Sequence, residues 1–323
     1  MTPEEEVLAW EAEHRQRAAI AAFTAAGLTI LGVALTTLGQ PSSGKFDDKI
    51  VTAVDAMGDV AAGRPVPPGR LSAFATDVGQ HPAVPIVGAV VYGLGSLAIY
   101  FAIAYLFRAT RARRPGMQQV ALVMAAIGAV GFGLGRAVSE VARYIGAHNF
   151  VDAADKSNSA AADALSPTAT LVGQLIWETS ALALGFAIAI ISLNAMRVGL
   201  LSRFMGVMGV IVGVAVAPIL PIDQQGIIRV FWLAALGVLF LGRWRNTPKA
   251  WVTGTAEPWP TQQQLREARD AARAGREPDA PRSGRRGAPA PPPPAAPSPR
   301  RPDAAAPGSE HSASKKKKRK RRS

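Results

Sequence analysis

The stretch AAIAAFTAAGLTILGVALTTL, residues 18–38, has no charged residue in any position. At 1.5 Å per residue, a helix of this length spans about 31 Å, close to the ~30 Å thickness of a bilayer's hydrocarbon core. Core helices of soluble proteins seldom lack a polar face entirely. The stretch therefore predicts a transmembrane helix.

Five further apolar stretches follow along the chain. Residues 85–107 and 204–220 are also free of charge, whereas residues 118–135 are shorter and are expected to continue as helix towards Ile145. The six predicted segments are residues 18–38, 85–107, 118–135, 170–195, 204–220 and 222–241. The sequence thus predicts an all-α fold, built as a polytopic six-helix transmembrane bundle.

The basic loops predict the orientation of this bundle. Six arginines lie in the short loops between the second and third and between the fourth and fifth segments: Arg108, Arg111, Arg113, Arg114, Arg197 and Arg203. Loops rich in Lys and Arg stay on the cytoplasmic side of a membrane. We therefore expect a multi-pass protein of the cell membrane with cytoplasmic N- and C-termini.

Four regions follow from this scheme. Residues 1–17 are a cytoplasmic amphipathic lead-in, in which Thr2 is expected to cap a helix and Glu5 to occupy its third position. The six-helix domain covers residues 18–243, and a juxtamembrane segment covers residues 244–275. Residues 276–323 are predicted to be a disordered Pro-rich and polybasic tail. The acidic start at residues 4–6 argues against a secretory signal peptide.

The two outer loops are predicted to be helical. Residues 47–63 place Ile50, Val54, Met57 and Val60 along one helical stripe, a second helix is expected from residue 70, and residues 151–167 are Ala-rich. These helices either lie on the membrane surface or form a small cap outside it.

Ionisable groups within the apolar segments are the candidate functional residues, because charge at membrane depth is unfavourable. Glu178 lies about 12 Å from the outer end of the fourth segment. Arg136 and Arg229 lie in the same half of the bilayer, and Gln174 is one turn from Glu178. In one interpretation Glu178 forms a structural ion pair with Arg136 or Arg229; in the other these residues belong to a transport site.

Several function classes have no support in the sequence. The chain has no cysteine, so thiolate metal sites and cysteine nucleophiles are excluded, and its four histidines are isolated. GFGLG at residues 131–135 has Arg136 where a dinucleotide loop needs glycine, so it indicates close helix packing. No hydrolase or nucleotide-binding motif is present, and we expect no catalytic residue, metal or cofactor.

A resemblance to a known family rests on the second half of the chain. The stretches YLFRATRARRPGM, ISLNAMRVGLLSRFMGVMGVIVGV and FWLAALGVLFLGRW, followed by AEPWP, resemble an uncharacterised family of bacterial multi-pass inner-membrane proteins. The resemblance covers roughly residues 94–260. It implies a six-helix inner-membrane protein and assigns no catalytic residues.

The net charge of +13 lies in the last quarter of the chain, where residues 243–323 carry 20 Lys and Arg against 7 Asp and Glu. Its densest cluster is Lys315, Lys316, Lys317, Lys318, Arg319, Lys320, Arg321 and Arg322. Such a cluster binds anionic lipid headgroups, or nucleic acid or the ribosome, or it stays solvated. Lipid is the expected partner because the cluster is tethered to a membrane.

These features favour an integral membrane protein with a non-enzymatic scaffolding or regulatory function and with contacts through its outer loops or tail. The alternative is a small-solute or ion transporter that uses Glu178 with Arg136 or Arg229. A membrane enzyme is the third hypothesis.

Overall fold

The structure is a computed structural model that describes residues 2–42, 44–64, 68–217, 226–244, 246–260 and 262–274. Within these residues it is all-helical and contains no strand. The α-helices are α1 Pro3–Leu38, α2 Ala53–Ala61, α3 Arg70–Gln80, α4 Ala83–Arg113, α5 Val120–Val151, α6 Asn158–Leu165, α7 Thr168–Arg197, α8 Arg203–Val216, α9 Ile227–Phe240, α10 Ala250–Thr253 and α11 Gln262–Ala274. A 3-10 turn, Asp47–Lys49, precedes α2.

Four of the described helices, α1, α4, α5 and α7, are long and apolar enough to cross a membrane. The helices α8 and α9 are apolar as well, but each has only 14 residues. They are shorter than the predicted fifth and sixth segments, and residues 218–225 between them lie outside the described residues. The structure thus confirms an all-helical protein with four candidate spans, while the count of six crossings stays a prediction.

The six apolar helices close into a ring. Helix α1 packs on α4, α4 on α5, α5 on α7, α7 on α8, and α8 on α9, while α9 returns to α1. Helices α4 and α7 also contact each other within the ring. All of this packing lies within residues 1–264, and the chain divides after Gln264.

Small residues set the close spacing between these helices. A Cβ atom added to Gly128 would collide with the backbone of Leu184, and one added to Gly135 would collide with Gly173 and Trp177. Between α7 and α8, Gly185 and Gly213 face each other in the same manner. The glycines of the GFGLG stretch therefore serve helix packing, as the sequence predicts.

The first helix begins with the expected cap. The Glu5 backbone N–H donates to Thr2 Oγ1 at 3.3 Å, and the Thr2 N–H donates to the Glu5 carboxylate at 2.9 Å. This reciprocal capping box satisfies two backbone donors that a helix start otherwise leaves open. The predicted lead-in and first apolar segment then form one continuous helix, α1.

The loops at one end of the ring fold into a helical cap, which consists of α3, α6 and the last turns of α5. The third apolar segment continues as helix through residue 145 and ends at Val151. Its extension carries Tyr144, Ala147 and Phe150, which form a separate small core with Val78 of α3 and Leu165 of α6. The helices α3 and α6 thus pack on the extension of α5, while their position relative to a membrane stays a prediction.

The helix α2 carries three residues of the predicted apolar stripe and Ile50 precedes it, but the stripe is not buried against the bundle. Ile50, Val54, Met57 and Val60 are 59%, 79%, 72% and 65% exposed. Its start is capped by Thr52, whose side chain accepts the Asp55 N–H at 3.1 Å. An exposed apolar stripe of this kind marks a contact surface more often than it marks ordinary solvent-facing helix.

Candidate functional site

The predicted intramembrane charges surround one tyrosine of α4. Arg229, in the first turn of α9, is buried and donates a hydrogen bond from Nη2 to the Tyr92 hydroxyl at 2.7 Å. Its guanidinium also lies 5.6 Å from the centre of the Tyr92 ring and 5.3 Å from that of Phe132. Aromatic faces attract cations, so these rings stabilise the charge of Arg229 inside the bundle.

Arg136 approaches the same tyrosine from α5. Its guanidinium lies 5.6 Å from the Tyr92 ring centre and 4.9 Å from that of Trp177 on α7. One helical turn further along α5, Glu140 forms an ion pair with Arg136, with 3.4 Å between Oε1 and Nη2. The residues Tyr92, Phe132, Trp177, Arg136, Arg229 and Glu140 are called the arginine–aromatic cluster below.

Glu178 follows Trp177 on α7 and has no ion pair among the described residues. Gln174 Nε2 donates to the Glu178 carboxylate at 2.8 Å, which is the predicted contact one turn along α7. Among the described residues, the carboxylate partner of Arg136 is Glu140, and Glu178 is not within 4 Å of either guanidinium. The predicted ion pair between Glu178 and Arg136 or Arg229 is therefore not formed.

The structure reveals a second charged site, which the sequence interpretation missed. Arg113, the last residue of α4, has a side chain that is fully buried, and both of its Nη atoms donate to the carboxylate of Glu11 on α1. Nη2 also donates to the Ala250 carbonyl at 2.6 Å. This Glu11–Arg113 clasp connects α1, α4 and α10.

The environment of the clasp is aromatic and closed to solvent. Arg113 lies 5.7 Å from the ring centre of Trp251, which stacks on Tyr105 at 5.9 Å. Glu11 precedes the apolar segment 18–38, and burial raises the pKa of its carboxyl above the ordinary value, while Arg113 acts in the opposite direction. Such a buried pair costs solvation on both sides, so removal of one partner alone is strongly unfavourable.

A signal for Glu11 was present in the sequence. The buried residues of α1 after it are small ones at helical spacing, among them Ala18, Ala22, Ala25 and Gly32. Glu11 lies seven residues before Ala18 and so extends this stripe towards the N-terminus. Its partner could not be found in this way, because Arg113 is 102 residues further along the chain.

Two tryptophans hold the segment after α9 against the loop between α7 and α8. Trp251 Nε1 donates to the Leu200 carbonyl and Trp259 Nε1 to the Leu201 carbonyl, each at 2.8 Å. The Glu257 N–H donates to the Val198 carbonyl at 3.0 Å. These three hydrogen bonds fasten residues 251–259 to the loop between α7 and α8.

The basic loops meet at one end of the ring, which is called the basic face below. Arg114 of the α4–α5 loop donates to Asn194 Oδ1 near the end of α7 at 2.7 Å, and Arg15 of α1 donates to the Phe240 carbonyl at the end of α9 at 3.1 Å. The clasp and the two tryptophan contacts lie at this same end. The arrangement joins the arginines of α1 and of the α4–α5 loop to the ends of α7 and α9.

Neither a metal centre nor the predicted tail site can be built from the described residues. Within the ranges that the structure covers, no group of three or more His, Asp or Glu could hold a metal ion. The cluster at residues 315–322, predicted to bind anionic lipid or nucleic acid, lies outside the described residues.

The comparisons with known proteins do not identify a relative. No protein-family model matches the chain, and no curated protein or solved structure matches it significantly.

Proposed function

We propose that the protein is a six-crossing integral membrane protein with cytoplasmic termini and a non-enzymatic scaffolding or regulatory function. The membrane part of the proposal is supported by the four long apolar helices. Helices α8 and α9 span about 21 Å each at 1.5 Å per residue. They lie in the ring beside the four long helices, and we assign them to crossings five and six.

The basic face supports the proposed orientation. The ends of α4, α7 and α9 and the start of α1 meet there through hydrogen bonds of Arg15, Arg113 and Arg114. Since arginine-rich loops remain cytoplasmic, this face is the cytoplasmic one. The cap and α2 then lie outside. The proposal includes membership of the bacterial inner-membrane family that the sequence resembles. It also includes lipid contact by residues 315–322.

One observation carries the scaffolding function: the charges inside the bundle are engaged by neighbouring side chains. Arg229 is bound by Tyr92, Arg136 by Glu140, and Glu178 by Gln174. The helices around them approach closely at their glycines, which favours a fixed assembly over a wide aqueous passage. The exposed apolar stripe of α2 supports a role in contacts outside the membrane.

Reporter fusions test the topology. Fusions after Gly116 and after Gly199 are expected to report a cytoplasmic location, and a fusion after Gly63 an external one. An external signal at Gly116 or Gly199 would contradict the six-crossing scheme.

Flux measurements test the function. In proteoliposomes that contain the full chain and the internal pH dye pyranine, the scaffold proposal expects a proton leak equal to that of protein-free liposomes. A potassium diffusion potential, imposed with valinomycin, provides the driving force. A leak specific to the protein that disappears in Glu178→Gln would overturn the scaffolding function.

A transporter is the second candidate, and one observation favours it. Glu178 is partly exposed and without an ion pair among the described residues, so its carboxylate remains available to a cation or a proton. For this candidate, Glu178→Gln abolishes flux while Asp163→Asn, an exposed acid of the cap, leaves it unchanged. Equal flux in both variants and the wild type would exclude Glu178 from transport.

A further inference from the structure

A groove runs between α1 and α4 next to the basic face, with a volume of about 680 Å³. Its α1 wall consists of residues that recur every three or four positions and so share one helical face: Trp10, His14, Arg17, Ala21 and Thr24. The residues of its α4 wall have the same spacing but run in the opposite direction along the groove: Leu94, Leu97, Phe101 and Arg108. Arg108 is the last residue of the α4 wall towards the basic face, and Arg17 lies on the α1 wall two helical turns after Trp10.

The apolar part of the groove faces away from the bundle. Ile20, Leu94 and Phe101 on its walls are 57%, 51% and 62% exposed, although they belong to helices apolar enough to cross a membrane. Such surface is stable only where hydrocarbon covers it. The groove therefore lies open to the acyl chains of the surrounding lipid.

The two arginines of the groove differ from Arg15, Arg113 and Arg114 of the basic face. Arg113 is bound by Glu11, Arg114 by Asn194, and Arg15 by the Phe240 carbonyl. Arg17 and Arg108 are exposed, and among the described residues neither has a hydrogen bond or an ion pair. They leave two cations on the walls of a largely apolar groove, where a bound anion would neutralise them.

The dimensions of the groove fit one leaflet of a bilayer. Arg108 and Leu94 are fourteen residues apart on α4, about 21 Å along the helix. One leaflet with its headgroup region is about 20–22 Å thick, half of the ~40–45 Å bilayer. A ligand with an anionic group at the arginines and a hydrocarbon chain of leaflet length would fill both parts.

We propose that this groove binds an anionic phospholipid of the cytoplasmic leaflet, with its phosphate at Arg17 and Arg108 and an acyl chain along Phe101 and Leu94. The inference rests on the proposed membrane embedding and goes beyond it by naming a ligand and a site. A second copy of the chain fits the groove less well, because parallel copies would bring two basic faces together. A neutral lipid would leave both cations without a counter-charge.

A single fluorophore can report on the occupant, because the chain has no cysteine of its own. Ile20→Cys places bimane on the rim of the groove, and Val123→Cys places it on the outer surface of α5, at a residue of similar exposure (52%) outside the groove. Each labelled full-length protein is reconstituted into nanodiscs of phosphatidylcholine. Increasing fractions of brominated phosphatidylglycerol, or of brominated phosphatidylcholine, then quench the label.

At residue 20 we expect half-maximal quenching at a roughly tenfold lower fraction of the phosphatidylglycerol quencher than of the phosphatidylcholine quencher, since two cations act on one headgroup. At residue 123 the two quenchers are expected to be equivalent. Because the label reports only on its own surroundings, lipid bound elsewhere on the basic chain does not produce this difference.

Charge variants identify the residues responsible. In the Ile20→Cys background, Arg17→Gln with Arg108→Gln is expected to remove the preference. Arg197→Gln with Lys249→Gln, which removes two exposed cations outside the groove, is expected to preserve it.

The outcomes separate this inference from the proposal on which it depends. Failure of the full chain to insert into nanodiscs would contradict the membrane embedding. Successful insertion with equal quenching by both lipids at residue 20 would overturn the lipid site alone. A preference that survives loss of Arg17 and Arg108 would overturn the assignment of the phosphate to these arginines.

Discussion

The Glu11–Arg113 clasp and the arginine–aromatic cluster accommodate buried arginines in two different ways. In the clasp, a carboxylate neutralises Arg113 directly and both side chains are almost completely buried. In the cluster, Arg136 and Arg229 lie against the ring of Tyr92, and the Arg136 side chain keeps 29% of its surface exposed. The clasp fixes helix positions, whereas the cluster holds cations against aromatic rings, and Glu178 on α7 stays without an ion pair among the described residues.

The clasp is therefore expected to contribute stability to the fold, whereas the Glu178 carboxylate stays available for other contacts. Loss of one charge from the clasp leaves the other buried and uncompensated. Arg136 and Arg229 each have several contacts, so the loss of one contact is expected to have a smaller effect. We therefore expect single variants of the clasp to lose more free energy of unfolding than single variants of the cluster.

The largest effect is expected from Arg113→Met, which leaves the Glu11 carboxylate buried among Tyr105 and Trp251. We expect a loss of about 3–5 kcal/mol in the free energy of unfolding. An SDS titration in mixed micelles, followed by tryptophan fluorescence, measures it. The double variant Glu11→Met with Arg113→Met should recover most of the loss, and Arg111→Met serves as the single-charge control. A stable Arg113→Met protein would show that the clasp has no structural role.

A smaller loss, about 1.5–3 kcal/mol, is expected from Arg229→Met, the range of a hydrogen bond to a charged group. Tyr92→Phe keeps the ring beneath both arginines and removes only the hydroxyl that accepts from Arg229, so it should lose less than Arg229→Met. The same SDS titration compares the two. If Tyr92→Phe loses as much as Arg229→Met, the hydroxyl rather than the ring holds the cation.

The tryptophan contacts are expected to contribute about 1 kcal/mol each. Trp251→Phe and Trp259→Phe remove the indole donors to the Leu200 and Leu201 carbonyls, and Trp244→Phe is the control because no hydrogen bond of its indole is seen. Faster amide exchange in residues 198–202 should accompany the first two changes. Equal exchange in all three variants would argue against a fastening role.

The smallest effect is expected from Glu178→Gln, within about 0.5 kcal/mol of the wild type. The glutamine oxygen can still accept from Gln174, and no ion pair is lost. Thermal unfolding in detergent checks this, with Gln174→Ala as the partner variant. A loss as large as that of Arg113→Met would restore a structural ion pair for Glu178.

Much of the fold could be predicted because uncharged runs of more than 20 residues have few alternatives to a membrane helix. The ends of the helices were harder to predict. Helix α5 runs on to Val151 because Tyr144, Ala147 and Phe150 pack into the cap, a contact between distant segments. Helix α8 ends at Val216, although apolar residues continue. Hydropathy registers composition; it registers neither the proline at position 218, which follows the end of α8, nor the packing that extends α5.

The candidate site was predictable only where partners are close in sequence. The Gln174–Glu178 contact follows from helical spacing, and the Arg136–Glu140 pair has the same spacing, yet Glu140 was not considered because it lies beyond the apolar segment. Tyr92 as the common support of two arginines and Glu11 as the partner of Arg113 depend on the antiparallel packing of α1, α4 and α5. Spacing along a single helix carries no information about such contacts.

The hydrogen bond from Arg15 to the Phe240 carbonyl joins residues 225 positions apart and closes the ring between its first and last helices. During synthesis at about 5–20 residues per second, α1 therefore waits roughly 11–45 s for the helix that completes its packing. Until then the ring has an open side between α1 and α8. The order of synthesis makes α9 the helix that completes the bundle. A nascent chain that stops before residue 227 leaves the small-residue face of α1 exposed to other proteins and lipids at the site of insertion.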